Sequence, residues 1–296
     1  MITLRSTADP VYAIEHLRNA ALAVANIIGQ GGTAADRLHG WRRWVSTTQT
    51  IFTPVLTESA VRAVVRGDLH DLLQSVVPES YGDQLTWLVD SELIRRKDQL
   101  EAAANELETV HRRWTGRGRG PALVLDTNVL MDFGRNLVEV HWHRVADVFP
   151  TQPISLVVPI QVVEELDGQK DRGTEGARNL ARATLRWIDE LFSGGWQDAE
   201  VSVEGRGSQP RVTLRLLIDE LDRVPLPRPD ADIIDRALSL APFVTRTVMV
   251  SHDRSMQLRA RAAGLDAVPL RYADVPNGKQ RIAKGGTRKD SPEDGS

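Results

Sequence analysis

Apolar residues recur every three or four positions through roughly the first 115 residues, and no segment there alternates apolar and polar residues with a period of two. This spacing is typical of helices that bury one face. It predicts helices that begin near Asp9-Pro10, Thr33, Thr57-Glu58 and Asp83, the first ending at 29–32 and the last near Trp114. Residues 1–115 are therefore predicted to form an all-α domain.

Two apolar stripes in this half predict how its helices pack. The long helix carries an apolar residue at every seventh position: Leu93, Leu100, Leu107 and Trp114. This repeat predicts contact with another helix along its length. The segment GWRRWV at 40–45 mixes aromatic and basic residues, which could stack bases and hold phosphates. Because Trp41, Trp44 and Val45 share one helical face, a packed core stripe is the favoured interpretation.

The pattern changes after a glycine and arginine linker at 116–120 to short apolar runs that alternate with helical segments. The predicted strands are 122–125, 154–158, 247–250 and 267–270, and the predicted helices begin near Val129, Pro159, Thr174, Asp230 and Arg254. Strands separated by helices favour a mostly parallel sheet covered by helices. Residues 276–296 are rich in glycine, lysine, serine and acidic residues, which predicts a disordered tail.

A long stretch between Ser193 and Pro229 contains VSVEG and PRVTLRL, which predicts an extra hairpin beside the site. Its arginines, Arg206, Arg211 and Arg215, have two interpretations, as contacts to a phosphate backbone or as a solvated face. The solvated face is the commoner arrangement.

Composition narrows the classes of protein. The 296 residues include 37 Lys and Arg, 40 Asp and Glu, and no cysteine. The lack of cysteine excludes disulfide scaffolds and cysteine metal sites. No apolar run is long enough for a membrane span, and no secretory signal is present, so we expect a cytoplasmic protein without a membrane partner. Charges balance in residues 1–120, and the acidic excess falls in the α/β half.

Acidic residues of this half follow two predicted strands. Asp126 directly follows the run ALVL, and Asp253 lies three residues after TVMV. In an open α/β sheet, ligands bind beyond the carboxyl ends of the strands, which gives these aspartates a functional interpretation. Each could equally cap the helix that follows it.

Helical geometry adds further acidic candidates. On a helical wheel for 230–241, Asp230 falls within the apolar arc, whereas Asp232 and Asp235 point away from it. Asp230 is therefore predicted to face inward, with N-capping as the alternative. In PIQVVEELDG at 159–168, Glu164 and Glu165 flank the apolar face, and a solvated acidic face is the alternative there.

Several carboxylates in one pocket repel each other unless a cation compensates them. Mg²⁺ and Mn²⁺ prefer oxygen ligands, and either ion can orient a water and stabilise charge on a phosphate. Clustered carboxylates without histidine or cysteine ligands therefore favour Mg²⁺- or Mn²⁺-dependent phosphodiester chemistry over zinc hydrolysis.

Four segments in order resemble the PIN-domain nuclease family: VLDTNVLMD at 124–132, VPIQVVEELDGQK at 158–170, PDADIIDRAL at 229–238 and VMVSHDRSMQLRARAAG at 248–264. The resemblance implies a PIN-like three-layer α/β fold over 121–275, with a mostly parallel central sheet preceded by the all-α domain. It also implies a metal-dependent endonuclease that usually acts on RNA. The ELDG motif with Lys170 and the extra N-terminal half resemble the larger PIN proteins of RNA processing more than the minimal toxins.

The resemblance assigns the catalytic and metal-binding roles to Asp126, Glu165, Asp230 and Asp253. It assigns supporting roles to Asn128, Ser251, Glu164 and Asp232. The third motif departs from the family pattern, because Ala231 stands where a second aspartate is common, and this leaves Asp230 and Asp232 as alternatives. Arg117, Arg119 and Lys170 are the candidate substrate contacts, and an ordinary solvated linker is the favoured alternative for the two arginines.

The resulting hypothesis is an endoribonuclease that hydrolyses single-stranded RNA with Mg²⁺ or Mn²⁺. A PIN-like scaffold that binds nucleic acid or protein without cleaving, and a toxin-type RNase, are the alternatives. A dehalogenase-like phosphatase is disfavoured because Asn128 occupies the position of the second aspartate it needs. Homodimerisation and docking of a protein partner, such as an antitoxin, stay open.

Overall fold

The N-terminal region is helical, as the spacing predicted. The computed structural model describes residues 2–77, 82–116, 118–194, 198–201, 212–219 and 223–274, so the predicted tail lies outside the described residues. Five α-helices of the described chain precede the sheet: α1 (Pro10–Gly29), α2 (Ala34–Phe52), α3 (Glu58–Val61), α4 (His70–Ser75) and α5 (Gly82–Thr115). One π-helical turn, Arg62–Arg66, directly follows α3.

Side-chain caps set the first two helix starts. The Asp9 carboxylate accepts a hydrogen bond from the Val11 amide at 2.9 Å, and Pro10 occupies the first position of α1. Thr33 and Asp36 form a reciprocal capping box at the start of α2. These bonds satisfy amides that have no partner inside the helix, and so both helices begin where the sequence predicted.

The predicted apolar stripes are buried between these helices. Helix α1 packs along α5, and α2 packs against both. The heptad positions of α5 are all buried: Leu93, Leu100, Leu107 and Trp114. Trp41 and Trp44 are also buried, and the Trp44 indole N–H donates to the Ala20 carbonyl at 3.2 Å. The packed-core interpretation of GWRRWV is confirmed, because buried tryptophans cannot stack on bases.

The second half contains a six-stranded sheet. Its strands are β1 (Ala122–Leu125), β2 (Ile154–Pro159), β3 (Asp198–Glu200), β4 (Val212–Leu217), β5 (Thr247–Val250) and β6 (Asp266–Val268). They lie in the order β3-β4-β2-β1-β5-β6, and every pairing is parallel except β3 with β4. The strands β1 and β5 are buried at every position, which explains why their sequences are continuous apolar runs.

The helices of this half agree with the predicted segments to within a few residues, except for the short helix Trp142–Val145, which was not predicted. They are α6 (Thr127–Phe133), α7 (Trp142–Val145), α8 (Ile160–Arg172), α9 (Glu175–Phe192), α10 (Pro229–Leu240) and α11 (Arg254–Ala262). The mostly parallel sheet predicted from the alternation of strands and helices is confirmed. None of the described helices combines the length and apolarity needed to cross a bilayer.

The stretch from 193 to 229 differs from its prediction. Strands β3 and β4 do form an antiparallel pair, but β4 also pairs in parallel with β2 along its whole length. The hairpin therefore extends the central sheet. The hairpin joins the sheet because this position removes the apolar side chains of β4 from water, which lowers the free energy of the fold. Most of β4 is accordingly buried.

Helix α5 is joined to the sheet at its C-terminal end. The Arg215 guanidinium of β4 lies 4.7 Å from the Trp114 ring centroid and donates to the Arg113 carbonyl at 2.9 Å. Arg113 in turn donates to the Leu216 carbonyl at 3.3 Å. Arg215 is buried, so neither of its predicted roles, phosphate contact or solvated face, is correct. Arg206 and Arg211 lie outside the described residues.

The linker between the two regions is docked on the sheet. A Cβ atom added at Gly120 would lie 1.8 Å from the Pro153 carbonyl oxygen, a separation that no side chain tolerates. The Arg119 guanidinium donates to the Pro242 carbonyl at 3.2 Å and to the Val244 carbonyl at 3.4 Å. The glycine here permits close backbone approach.

Gly120→Ala is expected to lower the free energy of unfolding by about 2 kcal/mol or more, because the backbone at Pro153 must move to admit the methyl group. The matched control is Gly176→Ala in the first turn of α9, where an added Cβ meets no atom within 4 Å. Chemical denaturation measures both. Equal stability of Gly120→Ala and the wild-type protein would show that the linker is not docked in this way.

Candidate active site

The site forms where two neighbouring parallel strands end. Strands β1 and β5 pair up to Leu125 and Val250, and the Asp126 amide continues the ladder by donating to the Val250 carbonyl at 3.1 Å. Asp126 and Asp253, which follow these strands, are therefore at the same edge of the sheet. This is the edge at which ligands bind in open α/β folds.

Asp126 is held by two protein donors. Its Oδ1 accepts from the Thr127 amide at 2.7 Å, which caps α6, and its Oδ2 accepts from the Ser251 hydroxyl at 2.6 Å. The side chain is buried, with 7% of its surface exposed. The capping interpretation is thus correct for Oδ1, whereas Oδ2 is bound by Ser251 in the loop that follows β5.

Ser251 connects the two strand-end aspartates. Its Oγ donates to Asp126 and accepts from the Asp253 amide at 3.0 Å. The Asp253 carboxylate is exposed and caps α11 by accepting from the Ser255 amide at 2.7 Å. The predicted supporting position of Ser251 therefore lies between Asp126 and the backbone of Asp253.

Helix α8 brings Glu165 to this edge. The Thr127 hydroxyl donates a short hydrogen bond to Glu165 Oε2, and the Thr127 side chain is buried. Glu164, the neighbouring alternative, is exposed. Thr127 was missed by the sequence analysis, although the motif VLDTN contained it, because only the tertiary structure places it against α8. Asn128 lies exposed in the first turn of α6.

In helix α10 the exposures of Asp230 and Asp232 are the reverse of those predicted from the helical wheel. Asp230 is 44% exposed and its Oδ2 accepts from Arg259 Nη1 of α11 at 3.2 Å. Asp232, predicted to point away from the interior, is fully buried. The wheel located the apolar arc correctly, but a second surface of α10 is covered by the chain segment that precedes it. Periodicity of apolar residues cannot show such a polar contact.

Asp232 belongs to a buried ion-pair network. Arg223 Nη2 donates to Asp232 Oδ1 at 2.6 Å, and Arg223 Nη1 donates to Asp219 at 3.0 Å. The Leu226 amide also donates to Asp232, at 2.8 Å, and Arg236 pairs with Asp219 at 2.6 Å. Burial acts to raise the pKa of Asp232, but these hydrogen bonds outweigh it and hold the pKa below its usual value.

The carboxylates at the sheet edge have the opposite electrostatics. Burial raises the pKa of Asp126, and the negative charges of Asp230 and Asp253 raise it further against the hydrogen bonds from Ser251 and Thr127. Burial also raises the pKa of Glu165, with contributions from Asp126 and Asp230 that oppose the bond from Thr127. The four carboxylates thus form one electrostatically coupled group around Asp126.

The chemistry of this group suits a divalent cation, because all its candidate ligand atoms are carboxylate oxygens. In addition, no described arginine or lysine pairs with Asp126 or Glu165. Within the described residues, however, no three Asp, Glu or His side chains lie close enough to hold one ion together. Asp230 is paired with Arg259, and Asp253 caps α11. The charge and the oxygen atoms of these carboxylates fit a cation. Their side chains, however, are too far apart in this structure to coordinate one ion together.

The predicted substrate contacts are not gathered at this edge. Arg119 precedes β1, whereas Asp126 follows it, so the strand separates them and the Arg119 guanidinium is bound to carbonyls. Lys170 pairs with Asp167 at 2.6 Å on the exposed side of α8. Arg117 lies outside the described residues.

Replacing Arg223 with methionine is expected to lower the free energy of unfolding by about 3 to 5 kcal/mol, because the fully buried Asp232 carboxylate would lose its main partner. Arg228→Met, an exposed arginine of the same segment, is the control. Denaturant unfolding of both variants is the measurement. A midpoint for Arg223→Met equal to that of the control would contradict a stabilising role.

Asp126→Asn is expected to raise the thermal midpoint near pH 7.5. A carboxyl whose pKa is raised in the folded state destabilises the fold when ionised, and this cost disappears as the pH falls through the folded pKa. The advantage of the variant should therefore be largest above about pH 7 and shrink towards about pH 4. Scanning fluorimetry across this range measures it, with exposed Asp189→Asn as control. An advantage that grows towards acid pH would refute the buried-charge account.

Comparisons with known proteins identify the family of the second half. A family model described as PIN domain matches residues 123–271. The protein PhoH2 of Thermobispora bispora is 30% identical over 159 residues, which are 51% of this chain and 32% of that protein. The chain thus spans about a third of that relative's length. A domain of a functionally unknown protein from Methanocaldococcus jannaschii matches at 16% identity with a TM-score of 0.31, covering 51% of this chain and 91% of that domain. On the match to residues 123–271, this chain belongs to the PIN domain family.

Proposed function

We propose that the chain is a metal-dependent endoribonuclease that hydrolyses phosphodiester bonds of single-stranded RNA. PIN domains are generally nucleases, and the four segments that resemble the family contain Asp126, Glu165, Asp230 and Asp253. The observation that carries the proposal is the buried Asp126 carboxylate. It has two protein donors and no cation partner among the described residues, and further negative charges surround it.

Asp126, Glu165, Asp230 and Asp253 are the residues that would hold Mg²⁺ or Mn²⁺. When bound, such an ion supplies a positive charge that orients and acidifies a water and stabilises charge on the phosphate. The protein residues have separate tasks. Ser251 and the Thr127 amide fix both oxygens of Asp126, while the Thr127 hydroxyl orients Glu165. These donors stabilise the ionised carboxylates and so oppose the rise in pKa that burial causes at Asp126 and Glu165.

The negative charge of the site also affects how an RNA substrate can approach it. The acidic edge is electrostatically unfavourable for a polyanion unless the carboxylates are neutralised. Asp230 is already paired with Arg259, and Asp253 is exposed. These two carboxylates can therefore adjust their partners, whereas Asp126 is fixed. We assign Asp126 the central position in the site on this ground.

A second candidate is a PIN-domain protein that binds nucleic acid without cleaving it. One observation favours it: within the described residues no three acidic or histidine side chains are placed to share an ion. Cleavage assays distinguish the two candidates directly, since a binding protein would retain RNA without changing its length.

The test is cleavage of labelled single-stranded RNA, and of DNA of the same sequence, by the full chain in Mg²⁺, Mn²⁺ or chelator. Wild-type protein should cleave RNA only with a divalent ion, and Asp126→Asn should lower kcat about 100-fold to 1,000-fold. Asp189→Asn, an exposed carboxylate on α9, is the control expected to match wild type. Glu165→Gln should lose at least about tenfold more activity than Glu164→Gln.

Cleavage that survives in chelator, or in Asp126→Asn at the wild-type rate, would refute this assignment of residues. Absence of cleavage under every metal condition, together with stable RNA binding, would support the non-catalytic candidate.

A further inference from the structure

A cleft of about 610 Å³ opens directly beside Glu165. It lies between α8 and the chain segment that enters α10, and Glu165 is one of its lining residues. Its volume falls within the range of about 300 to 1,000 Å³ that small-ligand sites occupy. The cleft is therefore continuous with the candidate active site and large enough to admit part of a substrate.

The two walls of the cleft differ in chemistry. The α8 wall is polar and carries Gln161, Gln169 and Arg172 on the same helical face as Glu165, and the exposed Glu164 also lines it. The opposite wall is apolar apart from Asp232, which is fully buried and paired with Arg223. Its apolar side chains are Pro225, Leu226 and Pro229, and Leu226 is 43% exposed. An apolar wall that faces polar side chains such as Gln169 matches a nucleobase, which has an apolar face and a polar edge.

The apolar wall is held in place before any ligand arrives. The Leu226 amide donates to Asp232, and Arg223 joins Asp232 to Asp219. Gln161 Nε2 also donates to Asp219, so the same network connects both walls. A wall that is already ordered loses little conformational freedom on binding.

Arg172 supplies the positive charge of the cleft. It lies seven residues after Glu165, about 10 Å further along the axis of α8. Its side chain is exposed and forms no ion pair with the described part of the chain, in contrast to Lys170, which pairs with Asp167. A guanidinium in this state is available for a phosphate.

We propose that this cleft binds the nucleotide next to the phosphodiester presented to Asp126 and Glu165. The base packs against Leu226 and Pro229, and Arg172 contacts a neighbouring backbone phosphate. The inference rests on the proposed nuclease function and extends it, because it assigns the cleft to one nucleotide of the substrate. Lys170, the sequence-based candidate on this helix, has no part in it.

Binding is measured on full-length protein carrying Asp126→Asn, so that RNA stays intact, by fluorescence anisotropy with a short single-stranded oligoribonucleotide at several salt concentrations. Adding Arg172→Gln should raise Kd about threefold to tenfold and lower the salt slope by about one. Adding Leu226→Ser should raise Kd by a similar factor of roughly threefold to tenfold and leave the salt slope unchanged. The controls are Arg186→Gln and Leu22→Ser, which exchange exposed residues of the same types elsewhere.

Location is tested separately by photo-crosslinking the same protein to RNA that contains 4-thiouridine. Mass spectrometry should find adducts in peptides that span 161–172 or 225–229. Adducts confined to other segments, or unchanged Kd values in both cleft variants, would overturn the proposal.

Cleavage by protein with an intact Asp126 separates this proposal from the nuclease function. If the wild-type protein cleaves RNA and the cleft variants raise KM with little change in kcat, both stand. Cleavage combined with crosslinks outside the cleft would refute the cleft proposal and leave the nuclease function in place. Crosslinks in the cleft without cleavage under any metal condition would refute the nuclease function and support the cleft as a binding site.

Discussion

The structure of the candidate site depends on one constraint, the burial of the Asp126 carboxylate at the end of a central strand. A buried negative charge is costly unless donors or a cation compensate it. Here two donors, the Thr127 amide and the Ser251 hydroxyl, come from the two chain segments that leave adjacent parallel strands. Pairing of β1 with β5 therefore brings the second donor, Ser251, to the buried carboxyl group.

Two acidic groups lie close together in this half and are stabilised in opposite ways. Asp219 and Asp232 are neutralised by Arg223 and Arg236, and this network fixes the segment leading into α10. The group around Asp126 has hydrogen bonds but retains its mutual repulsion. The two groups therefore differ in their partners: arginines compensate Asp219 and Asp232, whereas Asp126 and Glu165 have only uncharged hydrogen-bond donors within the described chain.

The helical region is part of the same packed body as the sheet. Its buried apolar residues belong to one cluster with those of the strands, and Trp114 at the end of α5 packs under the Arg215 guanidinium. The close approach of Gly120 to Pro153 leaves the linker little freedom. The helices are thereby held in a fixed position relative to β4, whose partner β2 leads into α8 and Glu165.

The sequence by itself determined the class of each element and the acidic edge of the sheet. Apolar spacing located the helices and strands, since burial of one face repeats with the geometry of the element. Strand ends located Asp126 and Asp253, because parallel strands share their carboxyl edge. The tertiary structure decided what lies across from each side chain: Thr127 against Glu165, Arg223 against Asp232, Arg215 against Trp114. These partners are distant in sequence, and polar pairing has no period, so local patterns could not reveal them.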